Sequence, residues 1–585
     1  MILSKEKKQE YFFHISAIIL IILLCCVNIR RLDYIAVLND EFGYWSTAAS
    51  IAGYDWTSLI SETPYYSWGY SILLVPIILI FPTPEVWYKA AIGLNIVFLI
   101  GSYFLCIAIG KKWFSVKYNN KIIFIASLIA IIYPSNITYA QVAWSETLLI
   151  FLMWLATYLM ISLEEHFTYL KLIVEIFVFV YMYVVHVRSI GIIIVGILSL
   201  FFIIIKNKKS MVVFAGVLIF FVIGYLLNNV VKQYQITEFW ANSNISNINN
   251  VAIDGTTIST YLYRVLSSLR LLIESFGAKL IYLLVGTGFT LFIVIVQFSK
   301  EIFYNFRKKK LLTSNCIGKF FCVFASIAML GLCSLQMLNW QERKDIIVYA
   351  RYMENAIGPI IFMGVMYSVI FIKSTRVGVI ISALLFAVGI KSVYWRIERA
   401  TGYFNSICSP VFGAFYDFCY KDVKKTIILI AVLSCFLVVV YYISTFIKSN
   451  KVRYSLVLLV MVAYYIFIGN KAGIYMNDAR QYFDSNTVPI MREIRQNYND
   501  TTVYYVKNVE TDPYSVNPKY LQYMIPNISI LLVEQKDLCD IWEEGIVILT
   551  NPKDLSSEEY MKNKKDDVYK IQETSMLNMY VISSH

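Results

Sequence analysis

Charge is scarce in this chain, and so is histidine. Of 585 residues, 15% are Asp, Glu, Lys or Arg and only four are His, whereas soluble domains carry about 25% charged residues. The ten cysteines contain no CxxC pair, which argues against a dithiol or zinc-ribbon centre. No small-residue cleavage site follows the first apolar run, so that run reads as a retained helix and not a signal peptide. No repeat of solenoid period is evident, which argues against a repeat array.

What the chain has in abundance is apolar surface. Apolar residues make up 58% of it, and the mean hydropathy is +0.62. Charge-free stretches such as Phe12–Ile29, Ala90–Ile109, Ile281–Phe298 and Thr426–Phe446 reach roughly the 20 residues that cross a bilayer. Cys25, Cys26, Cys106 and Cys435 fall within apolar runs, where a thiol behaves as a small hydrophobe. Cys408 and Cys419 are close enough in sequence to pair if their loop is extracytoplasmic. The formal charge of +12 sits in short clusters between apolar runs, the pattern of membrane orientation, and no nucleic-acid partner is expected.

Those clusters set the topology. Lys111-Lys112 to Lys121, Lys206 to Lys209, Arg307 to Lys310, Lys373 with Arg376, and Lys448 to Arg453 mark alternate loops as cytoplasmic. A further inner loop, Glu164 to Lys171, follows from the count but lacks positive charge. Trp68–Phe81 is short, contains Pro76 and would invert every downstream cluster if it crossed; it reads as a juxtamembrane helix. The expectation is a polytopic α-helical membrane protein of about thirteen transmembrane helices, its N-terminus cytoplasmic. Arg30-Arg31 and Lys421, Lys424 and Lys425 then fall on the outer side, against the rule.

Residues 1–470 form the transmembrane domain, with an outer loop at 33–85. Residues 471–585 form a small extracytoplasmic α/β domain. In the latter, Thr502–Val506, Ile528–Val533 and Gly545–Thr550 read as strands and Ser556–Lys565 as a polar helix. Ser485-Asn486-Thr487 reads as an N-cap cluster opening a helix over Ile490–Asn497. The Asn-rich stretch Asn242–Asn250 reads as a flexible loop.

Acidic residues at a membrane face are retained mostly where they do chemistry, bind an ion or line a wet cavity. Asp40 and Glu41 stand where the first span ends, followed by Phe42, Tyr44, Trp45, Tyr54, Trp56, Tyr65, Tyr66 and Trp68. The rings alone are explained by an interfacial aromatic belt, but the two acids are not. Glu146, in Ala143-Trp144-Ser145-Glu146, is either a second site carboxylate or a helix N-terminal charge with Ser145 at the cap. Arg188, in His186-Val187-Arg188, is either a snorkelling interfacial cation or a phosphate ligand. His186 is a packing histidine before it is a ligand. Tyr349-Ala350-Arg351-Tyr352, with Glu354 and Gly358-Pro359, offers a second guanidinium, with Arg343 and Lys344 upstream.

The first outer loop, Leu38-Asn39-Asp40-Glu41-Phe42-Gly43-Tyr44-Trp45, resembles the acidic motif of GT-C glycosyltransferases, among them the protein O-mannosyltransferases and the aminoarabinose transferases of lipid A. Glu146 resembles the second carboxylate of their site, and Arg351-Tyr352 with Pro359 the motif that opens a late span beside the lipid phosphate. The His-Pro-Pro found later in that family's first loop is here Thr63-Pro64-Tyr65-Tyr66, so the histidine's role has no counterpart. The resemblance implies transfer of a sugar from a polyprenyl-phosphate donor to a hydroxyl of a glycan, lipid or protein acceptor, among membrane lipids as neighbours. Asp40 would be the general base and Glu41 its helper. Glu146, His186, Arg188, Arg351 and Tyr352 would bind substrate, and Asp40, Glu41 and Glu146 are hard-oxygen donors that suit Mg²⁺ or Mn²⁺. Two other readings stay open: a polysaccharide polymerase or ligase leaning on Arg343, Arg351 and Arg396 to Arg399, and a lipid-linked sugar transporter without chemistry.

Overall fold

The computed structural model of the protein describes residues 5–27, 35, 39–61, 63, 65–114, 120–240, 266, 268–308, 316–338, 343–472, 474–499, 501–508, 516–541, 546–563 and 568–582. Arg30-Arg31, Pro64, Asn242–Asn250 and the strand-start Gly545 lie outside the described residues.

Apolar runs become helices because, in hydrocarbon, each backbone N–H and C=O must be satisfied within its own segment. Among the described residues, nine helices are long and apolar enough to cross a membrane, or up to eleven if each of two bent pairs is one span. The expected count of about thirteen is reached only if Tyr169–Val185 and Gly358–Ile370, of 17 and 13 residues, cross as well.

One expected span is broken. Ile281–Phe298 divides between helices Leu269–Gly286 and Leu291–Arg307, bent by 97°. Gly288 and Phe289 take φ of +57° and +64° at the break, a left-handed turn that no α-helix continues through. A side chain at Gly288 would meet Met461 Sδ at 2.7 Å.

The helices sort polar groups to two ends. Glu146–Glu165 has 20 residues, so it extends ~30 Å. At its far end Glu165 pairs with Lys112, and Glu164 with Lys206 at 3.0 Å. The loop after Glu165, expected to be inner yet without a basic cluster, thus takes cations from its neighbours. Glu146 and Arg188 begin the helical segments that end at these pairs, so they lie at the opposite end.

Trp68–Ile80 has 13 residues, or ~20 Å, short of the ~30 Å hydrocarbon core. It lies against Asn39–Ile51 and Tyr169–Val185. Gly69 permits that approach: a Cβ there would stand 2.6 Å from Val185 N. Tyr181 closes the contact by donating to Gly69 O at 2.9 Å.

The C-terminal region holds a five-stranded sheet in the order β2-β1-β3-β5-β4. The strands are β1 (Val503–Val506), β2 (Ile530–Val533), β3 (Val547–Thr550), β4 (Val568–Glu573) and β5 (Asn578–Ile582). β2, β1 and β3 are parallel, and β5 and β4 add antiparallel. Side chains alternate between faces. Val503, Tyr505, Val547, Leu549, Met579 and Val581 join the core shared with the helices, whereas Val506, Ile548, Tyr580 and Ile582 form a smaller core. β4 and β5 had no counterpart in the sequence reading. The polar helix expected over Ser556–Lys565 is Leu555–Asn563.

The expected N-cap cluster is a correction. Helix Ile474–Asn497 runs straight through it, with Pro489 inside. The side chains turn back on their own helix: Ser485 and Asn486 donate to Tyr482 O, and Thr487 to Phe483 O at 2.7 Å. Hydroxyls and amides that bond a preceding carbonyl tolerate a helix interior.

Gly69→Ala should cost about 1–3 kcal/mol through overpacking, read as a lower melting temperature in detergent, whereas Gly93→Ala, which has open space at its Cβ, should be neutral.

Candidate functional site

The site is built on Arg351. Its Nη1 donates to Asp40 Oδ2 and its Nε to Glu146 Oε1. Arg188 Nη2 donates to the same Glu146 oxygen. Four groups that sequence reasoning singled out at positions 40, 146, 188 and 351 therefore form one cluster of two carboxylates and two guanidiniums. Burying charge is tolerable only when it is paired in this way.

Local structure aims each member. Asp40 lies in the first turn of helix Asn39–Ile51, where an acid suits the helix dipole. Gly43 leaves room for the Tyr66 ring, whose Cδ2 would be 2.1 Å from a Cβ at that position. Tyr66 then donates to Asp40 Oδ1 at 2.6 Å. Ser145 does not cap Glu146–Glu165 with its side chain; its hydroxyl accepts from Tyr44 at 2.9 Å. Glu146 thus acts as an ion-pair centre beyond any helix-dipole role. The Arg351 loop is pinned by its backbone, Ala350 N and Arg351 N both donating to Cys408 O, at 3.0 and 3.1 Å. Cys408 and Cys419 are both buried and free, with no disulfide between them.

Aromatic faces complete the walls. Arg351 lies over the Trp144 ring, 3.7 Å from its centroid, and Arg188 over Tyr352 at 4.4 Å. Phe42, Tyr44, Trp45, Trp56, Tyr65 and Tyr66 are buried, so most of the aromatic loop is core and not a lipid-facing belt. His186 accepts from Arg188 N at Nδ1 and tilts against Tyr352. Burial, with Arg188 and Arg351 nearby, pushes its imidazole well below the ordinary value, so it is neutral.

Two features give the cluster chemical potential. Asp40 keeps 27% of its side chain exposed, against 1% for Glu146 and 3% for Arg188, so Asp40 is the carboxylate a substrate can reach. Arg188 Nε and Nη1 and Glu146 Oε2 are buried without a hydrogen-bond partner. Unspent guanidinium donors beside an open carboxylate suit an anionic ligand such as a phosphate. Burial alone would raise the Asp40 carboxyl, but the Arg351 guanidinium and the Tyr66 hydroxyl outweigh it and hold it below the usual carboxylate range.

Glu41 departs from expectation. It is fully buried and accepts from Tyr88 OH at 2.7 Å and Ala143 N at 3.0 Å. It holds the turn leading into Glu146 and does not line the opening. Among the described residues no group of three His, Cys, Asp or Glu is arranged to hold a metal. Asp40 and Glu146 meet at a guanidinium while Glu41 is engaged elsewhere, so the three do not fit Mg²⁺ or Mn²⁺. Of the arginines of the polymerase reading, Arg351 is in the cluster, whereas Arg343 pairs with Asp345 at 2.5 Å and Arg396 with Glu274 at 3.0 Å outside it.

The sequence reading missed Tyr66, Trp144, Glu354 and Arg480 as functional neighbours. Glu354 is buried within hydroxyls from Tyr133, Ser135, Tyr139 and Tyr282, three residues past Arg351. Its place in the Arg-Tyr motif was the only available signal.

Solved structures share this polytopic helical fold with a small sheet domain. The chain is similar to ArnT from Cupriavidus metallidurans in the apo state, with 12% identity and a TM-score of 0.51 over 99% of this chain and 98% of that one. It is similar to the same protein bound to undecaprenyl phosphate, with 12% identity and a TM-score of 0.53 over 97% of each. No family model matches the chain, and no curated protein matches it.

Glu146→Ala strands the buried Arg188 guanidinium and leaves Arg351 with Asp40 alone, and should cost about 3–5 kcal/mol, measured by thermal unfolding in detergent. The Asp40 contribution is fully present above the unfolded value of about 3.9 and is lost as pH falls through the lower folded value. Acid unfolding below about pH 4 should therefore be shallower in Asp40→Asn than in wild type.

Proposed function

We propose that the protein is a membrane glycosyltransferase that moves a sugar from a polyprenyl-phosphate carrier to a hydroxyl of an extracytoplasmic glycan, lipid or protein, with inversion at the anomeric carbon. The observation that carries this reading is the open Asp40 carboxylate set on Arg351 beside the unspent donors of Arg188. The fold shared with a protein solved bound to undecaprenyl phosphate supports the donor class. The basic loops at the opposite end support a cytoplasmic N-terminus and an extracytoplasmic C-terminal domain.

The donor's phosphate takes the free Nε and Nη1 of Arg188 and draws on Arg351. As Arg351 turns part of its charge to the phosphate, Asp40 loses its counter-ion and becomes a stronger base. The acceptor hydroxyl gives its proton to Asp40 as its oxygen bonds the anomeric carbon. The bond from that carbon to the phosphate oxygen breaks, and the leaving negative charge rests on the two guanidiniums. One base and no covalent nucleophile make the displacement direct. Tyr352 orients Arg188 by its ring, and neutral His186 adds no charge to compete for the phosphate.

An apolar cavity of about 210 Å³, with Tyr183, Ile190 and Ile193 among its lining residues, opens within a few residues of Arg188. It suits the lipid tail of the donor, which enters sideways from the bilayer.

Transfer from a panel of polyprenyl-phosphate sugars in proteoliposomes tests the reading. Asp40→Asn should lose about 10²–10⁴-fold in rate with normal membrane insertion. Wild-type rates in Asp40→Asn would remove it as base, and a wild type inert with every donor would remove the reaction class.

A further inference from the structure

The helix that leaves the last span, Ile474–Asn497, sends one arginine back into the transmembrane core. Arg480 is 2% exposed. Its Nη2 donates to Tyr88 OH at 2.7 Å and to Gln141 O at 2.8 Å, and its guanidinium lies 5.1 Å from the centre of the Tyr88 ring. Tyr88 OH in turn donates to Glu41 Oε1 at 2.7 Å, the oxygen that also takes Ala143 N. Arg480 therefore grips both walls of the candidate site. One arm runs through Tyr88 and Glu41 to the residue adjoining Asp40. The other holds Gln141, which opens the turn that delivers Glu146.

A buried guanidinium that makes only neutral hydrogen bonds is costly, and Nε and Nη1 of Arg480 have no hydrogen-bond partner at all. The anion Glu41 lies one hydroxyl away, across Tyr88.

We propose that Arg480 is a positioning residue of the transferase site, through which the C-terminal domain sets the separation of Asp40 and Glu146 that Arg351 bridges. Several other bonds seat that domain on the first outer loop: Trp56 Nε1 donates to Pro526 O, Leu532 N to Ser58 Oγ and Tyr523 OH to Pro84 O. Those contacts dock the domain at its rim. Arg480 extends the docking to the neighbours of the charged cluster, Glu41 through Tyr88 and the turn at Gln141. The proposal rests on the glycosyltransferase reading for its consequence, but its geometry is testable without any turnover.

Hydrogen exchange on the full-length protein in detergent reads the geometry directly. In Arg480→Gln, the peptide spanning 139–148 should exchange at least about tenfold faster, while peptides of the helix Cys316–Gln336 stay unchanged. Tyr88→Phe, which keeps the arginine and its stacking but cuts the hydroxyl link, should loosen 39–51 in the same way and serves if Arg480→Gln does not fold. In transfer assays both variants should lower kcat with little change in donor KM, because the phosphate contacts of Arg188 and Arg351 remain. The double variant Glu41→Gln with Arg480→Gln should lose less than the product of the two single losses, because the Tyr88 arm is common to both and only the Gln141 arm adds. Unchanged exchange at 139–148 in Arg480→Gln and at 39–51 in Tyr88→Phe would overturn the proposal, as would fully additive losses. If wild type transfers no sugar but the exchange pattern appears, the reaction class falls and the positioning role stands.

Discussion

A single guanidinium, that of Arg351, ties together segments more than two hundred residues apart. It bonds Asp40 and Glu146 across sequence separations of 311 and 205 residues. Each of its partners is buried or half-buried, so none can be released to water without the others paying a desolvation penalty. That constraint fixes where helix Asn39–Ile51, the turn before Glu146 and the loop after Val348 must meet. Arg188 joins by sharing Glu146, and Tyr66 by sharing Asp40. The arrangement is two anions held by two cations in a low-dielectric wall, with one carboxylate left facing outward.

Such a cluster needs a rigid frame, because two long arginine side chains would otherwise sample many geometries. The frame is hydroxyl and backbone chemistry. Cys408 O receives two consecutive N–H groups of the Arg351 loop. Glu354 gathers four hydroxyls, and Tyr282, one of them, also accepts from Val411 N, which ties helix Pro410–Phe418 to the same loop. Burial raises the Glu354 carboxyl, and the surrounding hydroxyls only partly offset that. A buried polar network of this kind specifies one arrangement when nearly all its members are satisfied. Among the atoms left unsatisfied are Arg188 Nε and Nη1, the donors offered to the proposed phosphate.

The C-terminal domain belongs to this frame. Its sheet lends one face to the core shared with the helices and keeps the other for a core of its own. Trp45 and Trp87 meet Tyr523 edge-on beneath it. A domain joined only by a flexible tether would leave these rings exposed to water. Here its seating and the packing of the segment between Asn39 and Pro84 are one event.

Composition and hydropathy determined the class of protein, because only a bilayer rewards so many long charge-free runs. The basic clusters determined which loops share an end, and the isolated acids and arginines at positions 40, 146, 188 and 351 stood out because charge is rare in such a chain. The three parallel strands were legible from their short β-branched runs. The break at Gly288-Phe289 was not, since a left-handed turn leaves no hydropathic mark. Nor was the helix through Ser485 to Pro489, whose side chains bond backward as readily as they cap. Glu41 shows the limit most plainly: beside Asp40 in sequence, it differs from it only in direction, and a helix turns adjacent side chains by about 100°. Which acid faces the opening and which grips Ala143 is decided by what the far segments bring to each side, and that is settled only when the chain is folded.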